Sequence, residues 1–275
     1  MAKPVSKLGD FKGTIDGITY YTLNGERICR KAAPPSKEQI HNDPRFAAVK
    51  QNNNEFGGAS AYAKAIRNEL APYLNTFKDT SFNNRLTSCC LKMAKKGRGI
   101  PGQRSINAHN LSEALIGIEL HNKYEFDKQL KYSPRLQRTA KGIYIDFSGM
   151  QPHDLVGTPK FANQFKLIAL QITLPEYTWD TSIQKYTPVK PGVAPANTHL
   201  TTPPIAISDI PEPLEFYIPI PKNKTHKPIQ SNPSPAAHEA KETHILWLGI
   251  QYGKQHNGQF IALETGRAMQ CIAVY

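Results

Sequence analysis

The sequence predicts an α+β protein: an N-terminal β-hairpin plus helices, followed by an antiparallel β-sandwich. Three observations carry this. Asn24-Gly25 stands between two runs of alternating character, and apolar residues recur at helical spacing through the residues in the forties to nineties. From residue 117 the pattern turns to short apolar or alternating runs separated by turn residues.

The hairpin comes first. In ITYYTLNGERICRK, residues 18–31, the Asn-Gly pair supplies the two positive φ angles of a type I′ turn, and the register pairs Tyr21 or Thr22 with Arg27 or its neighbours. A ribbon of this size is unstable alone and has to pack on something. After Pro34-Pro35, Asp43 caps a helix with Pro44 in its first turn. Phe46, Val49, Phe56, Ala59, Ala63, Ile66 and Leu70 then trace one apolar stripe over residues 44–71, ended by Pro72. Gly57-Gly58 within it predicts either a kink or a close approach by another backbone. A second helix over residues 80–96 carries Phe82, Leu86, Cys90 and Met93 on one stripe and closes at Gly97; a third is expected over residues 106–116.

The strands of the sandwich are read at residues 142–147, 165–174, 214–220, 243–252, 259–263 and 268–275, with His256-Asn257-Gly258 marking another hairpin. Residues 186–213 and the segment PKNKTHKPIQSNPSPAAH are rich in proline and polar residues and read as long surface loops. Trp247, within Ile245-Leu246-Trp247-Leu248, reads as sandwich core, and Trp179 as an aromatic anchor.

Charge divides the chain. Residues 1–141 carry 24 Lys and Arg against 12 Asp and Glu, whereas residues 142–275 balance at 10 against 10. Of 22 prolines, 15 lie after residue 141. The domain reading is therefore a basic hairpin-and-helix module, 1–116, followed by a β-sandwich domain with long Pro-rich loops, 117–275. No signal-peptide core or transmembrane run is present in the sequence, so a cytoplasmic chain without a membrane partner is expected. Cys29, Cys89, Cys90 and Cys271 show no disulfide or metal spacing, and of the adjacent pair Cys89-Cys90 one is expected in the core.

Chemical signatures are sparse. Gly97-Arg98-Gly99-Ile100-Pro101-Gly102 satisfies G-x-G-x-x-G, but it follows an amphipathic helix instead of the strand that the dinucleotide fingerprint needs. It reads as a helix-to-helix loop. His238-Glu239 with His244 has the wrong spacing for two metal ligands on one helical face. No catalytic residue, metal site or cofactor is predicted. The densest positive region runs from Arg85 to Arg104, and no Asp or Glu occurs from Ser81 through Ser112. Lys92, Lys95, Lys96, Arg98 and Arg104 are its polyanion-binding candidates. The structural alternative is a solvated helix end, in which Lys95 and Lys96 complement the negative helix C-terminus. No stacking aromatic is interleaved among these charges.

Four stretches taken together resemble a family of uncharacterised proteins of Gram-negative bacteria: KGTIDGITYYTLNGERICRK, NDPRFAAVKQNNNEFGGASAYAKAIR, GQRSIN and THILWLGIQYGKQHNGQFIALETGRAMQCIAVY. The resemblance covers most of the chain and implies an order of elements: a glycine-rich hairpin, a helix with an Asn-Glu-Phe-Gly element, and a β-rich C-terminal half. It brings no catalytic residue, substrate or partner with it. A narrower similarity over residues 13–56, to phage-associated proteins, points to assembly roles. The function expected is thus that of a non-enzymatic structural or protein-interaction protein with a protein partner. The alternative is a nucleic-acid-binding protein that contacts phosphates through the basic N-terminal module.

Overall fold

A computed structural model describes residues 12–31, 35–189, 195–221 and 242–275. By its contacts the chain divides into two compact units, residues 1–53 and 54–275.

In the first unit, β1 (Gly13–Ile15), β2 (Ile18–Leu23) and β3 (Glu26–Lys31) form an antiparallel sheet in the order β1-β2-β3. Asn24 and Gly25 have φ of 51° and 82°, and Thr22 pairs with Arg27 as the turn requires. Asp16-Gly17 makes a second turn of the same kind, with φ of 48° and 75°, which adds β1 to the expected hairpin. Helix α1 (Lys37–Asn42) begins with a capping box between Ser36 and Gln39. Asp43 then accepts the Arg45 N–H at 2.9 Å and caps a 3-10 turn, Pro44–Phe46, not an α-helix.

Helix α2 (Ala47–Glu69) follows, and the division between the units falls inside it. Its stripe is buried at Ala59, Ala63 and Ile66, whereas Val49 and Phe56 are exposed. Of the two glycines, Gly58 is explained by a close approach, though from side chains: a Cβ there would meet the Tyr186 ring at 2.5 Å and Ile106 at 2.8 Å, whereas one on Gly57 meets nothing within 4 Å. Pro72 opens a further helix, α3 (Ala71–Phe77), in whose first turn its missing N–H is harmless. Helix α4 (Phe82–Lys96) buries Phe82, Leu86, Cys90 and Met93 as the periodicity predicts, with Cys90 in the core and Cys89 half-buried. The third expected helix is instead a 3-10 stretch, Ala108–Ala114, broken at Leu111, where φ is −160°.

The remaining strands of the second unit are β4 (Arg135–Arg138), β5 (Gly142–Asp146), β6 (Gln164–Leu174), β7 (Tyr177–Asp180), β8 (Lys185–Pro188), β9 (Ala196–Thr201), β10 (Ile205–Ala206), β11 (Glu215–Pro219), β12 (Thr243–His256) and β13 (Gln259–Val274). Strands β6, β12 and β13 are neighbours in one antiparallel sheet, with β9 and β10 both paired to the far edge of β6; β11, β5 and β4 form a second sheet. Asn257-Gly258, with φ of 49° and 76°, turns β12 into β13. Residues 186–213, expected as loop, contribute parts of β8, all of β9 and β10. Their described prolines lie between and at the ends of these short strands, where no ladder N–H is lost. The segment 222–238 and His238-Glu239 lie outside the described residues. Strand β13 reads as two runs in the sequence because the register slips beside Gly266 (φ 73°): Gln251 pairs with Arg267 and Gly253 with Ala262.

Two apolar layers enclose the larger sheet. On one face Leu167, Ala169, Leu246, Leu248 and Ile250 pack with Ile143, Ile145 and Ile218 of the smaller sheet, which makes the sandwich. On the other face Leu170, Ile172, Ile245, Trp247 and Met269 pack with Tyr62, Ile66, Phe82, Leu86 and Met93 of α2 and α4. Trp247 is fully buried, edge-on to Phe82 at 6.4 Å. With the apolar stripes of α2 and α4 on one face of the sheet, residues 54–116 fall in the same contact unit as the strands.

Candidate functional site

The acid-free region is built on the C-terminal half of α4. Lys92, Lys95 and Lys96 stand at i, i+3 and i+4, so they share one helix face, turned away from the buried stripe of Leu86, Cys90 and Met93. All three are exposed, as is Arg98 just beyond the helix, and none makes an ion pair among the described residues. Arg104 is different. Its Nη1 lies 3.4 Å from Oε1 of Glu55, a carboxylate only 4% exposed at its side chain. The same oxygen accepts the Gly102 N–H at 2.9 Å.

Glu55 thus pins the loop 97–105 from below. The neck of that loop is closed by the Ser105 N–H, which donates to the Arg98 carbonyl at 2.7 Å. A Cβ on Gly97 would fall 1.8 Å from the Ser105 carbonyl oxygen, and Gly99 has φ of 117°. These contacts account for the glycines of the G-x-G-x-x-G match: they let a loop fold back on itself, with no strand before it. Glu55 itself, in an otherwise Ala- and Gly-rich stretch of α2, escapes a sequence reading that weighs acids only by their distance along the chain from the basic run.

A second polar group gathers around the start of α4. Asp79 accepts from Arg85 Nη1 at 2.9 Å, from the Ser81 N–H at 2.9 Å and from the Asn122 N–H at 2.9 Å. Burial works against its charge, but these donors outweigh it and hold the carboxyl well below the usual range. Arg85 also donates to the Glu119 carbonyl at 2.7 Å, so it is consumed structurally and does not extend the cationic face. Glu119 behaves oppositely. One oxygen accepts from the Phe126 N–H and from Gln270 Nε2, both at 2.8 Å, while the other is buried without a partner. Burial, helped by Asp127 and Glu125, pushes its pKa up to about 8. No group of three His, Cys, Asp or Glu side chains suited to a metal ion occurs among the described residues. His244 is tied to Thr173 at 2.8 Å.

Two further surfaces lie outside these clusters. A cleft of about 630 Å³ is lined by Leu200, Ile205, Leu214 and Phe216, with Asp209 and Glu215 also on its wall. The other is the N-terminal sheet. Its register places Tyr21, Leu23 and Ile28 on one face and Ile15, Ile18, Tyr20 and Cys29 on the other. No residue described in 12–53 is buried.

No family model matches the chain, and no curated protein or solved structure matches it either. No helix among the described residues is long and apolar enough to cross a membrane.

Proposed function

We propose that this is a non-enzymatic interaction and assembly protein whose N-terminal sheet is completed by contact with a protein partner. The observation that carries the reading is the absence of any buried residue among those described in 12–53, in a sheet that has apolar side chains on both faces. Ordering a residue costs about 1–2 kcal/mol of backbone entropy, and a small sheet offsets that only when an apolar face is covered. Ile15 at 48% and Leu23 at 52% exposure, on opposite faces, are the most exposed apolar side chains that a contact with one face or the other would cover. The cleft beside Asp209 and Glu215 offers a second docking surface, suited to a segment that is apolar and basic.

Amide hydrogen exchange on the full chain tests this. Residues 18–31 are expected to exchange fast in dilute protein and to gain protection as concentration rises or as a purified partner is titrated in. Strong protection in the dilute monomer, independent of concentration, would mean that the sheet covers its faces within its own chain, and the reading fails.

A further inference from the structure

The exposed face of α4 and the loop after it carry a second, separate inference, which does not depend on the assembly reading. Four cations, Lys92, Lys95, Lys96 and Arg98, are exposed and unpaired among the described residues, and no carboxylate occurs in the sequence from 81 through 112. Protein surfaces ordinarily intersperse the two signs, so a segment whose exposed charges are all cations is a field aimed at a partner of the other sign. Complementing the helix dipole accounts for Lys95 and Lys96 in the last turn of α4. It does not account for Lys92, a turn earlier, or for Arg98, beyond the helix end. Arg104 is held by Glu55, and that pair braces the loop that carries Arg98.

We propose that this face binds the phosphate backbone of duplex nucleic acid without reading its sequence. Two features choose that ligand among polyanions. Residues 88–104 contain no aromatic side chain, so the cationic segment itself carries no platform on which unpaired bases could stack, and its contacts fall on phosphates. A lipid surface asks for an apolar face to insert beside the charges; the apolar stripe of α4 is already buried, which leaves Ile100 as the exposed apolar side chain of the loop. Arg104 is excluded from the phosphate-binding set, since its guanidinium is occupied.

Fluorescence anisotropy with two short DNA duplexes of unrelated sequence, titrated at several salt concentrations, tests the proposal. Four phosphate contacts give a slope of log K against log salt of about −3.6, or a loss of about 150-fold between 50 and 200 mM, the same for both duplexes. The variant Lys92→Gln/Lys95→Gln/Lys96→Gln/Arg98→Gln should abolish that slope, and Lys92→Gln alone should flatten it by about one unit. Lys185→Gln/Lys254→Gln, exposed elsewhere on the unit, should leave the slope as it was. Because all four side chains are exposed, circular dichroism of the quadruple variant should match the parent. The proposal is overturned by any of three results: no binding at low salt, an equal loss in the Lys185/Lys254 control, or binding to anionic phosphatidylserine vesicles with none to DNA.

Discussion

Glu55 Oε1 lies 3.4 Å from Arg104 Nη1 while accepting the Gly102 N–H at 2.9 Å, so one buried carboxylate on α2 fixes both ends of a turn that begins 47 residues later. Removing that acid leaves an orphaned N–H and a half-buried guanidinium. Glu55→Ala should cost about 2–3 kcal/mol in urea unfolding, and Glu55→Gln, which keeps the acceptor for Gly102, about 1 kcal/mol. Equal costs for the two would show that charge, not the hydrogen bond, matters to the loop.

The adjacent glycines of α2 should respond in opposite directions. A Cβ at Gly57 meets nothing within 4 Å, so Gly57→Ala should stabilise by about 1 kcal/mol through helix propensity. At Gly58 the new methyl would collide with the Tyr186 ring at 2.5 Å, and Gly58→Ala should destabilise by about 1–3 kcal/mol through overpacking. Thermal melts of the two single variants decide it; a stabilised Gly58→Ala would mean that Tyr186 swings aside freely.

Gly25, with φ of 82°, sits where a β-branched side chain is strained. Gly25→Val should cost about 1–2 kcal/mol, localised to the first unit, and the measurement is faster amide exchange in residues 18–31 without a change in residues 243–275. Gly258→Val, at φ of 76° in the β12–β13 turn, should act in the second unit instead.

Stability should depend on pH through Glu119. Its carboxyl titrates at about 8 in the folded chain against an ordinary 4.5, so between these values the folded state keeps a proton that the unfolded state has released. Its contribution is complete below about pH 4.5 and is lost as pH rises through about 8. Burial lowers the pKa of His121 and His244, which pulls stability the other way near neutrality, so the useful quantity is a difference. Glu119→Gln mimics the protonated acid, and its advantage in melting temperature over the parent should widen from about pH 5 to about pH 8 and level off above that. A constant offset would show that Glu119 ionises freely in the native protein.

What the sequence determined by itself was local. Asn24-Gly25 and Asn257-Gly258 declare their turns because few residue pairs tolerate two positive φ angles. The stripe Phe82, Leu86, Cys90 and Met93 declares its helix because burial recurs at the helical period. The charge asymmetry marked Lys92, Lys95, Lys96 and Arg98, and the structure leaves all four exposed. Tertiary structure decided what depends on neighbours distant in the chain. Strands β6 and β12 carry continuous apolar runs, residues 167–170 and 245–248, a pattern that records burial on both faces but not which element covers each face. That α2 and α4 cover one of them, drawing residues 54–116 into the same unit as the sheet, follows from packing alone. The fate of Arg104 is of the same kind: pairing with Glu55 depends on a distance in space of 3.4 Å, while the two lie 49 positions apart in the chain, too far for any helical or strand period to connect them.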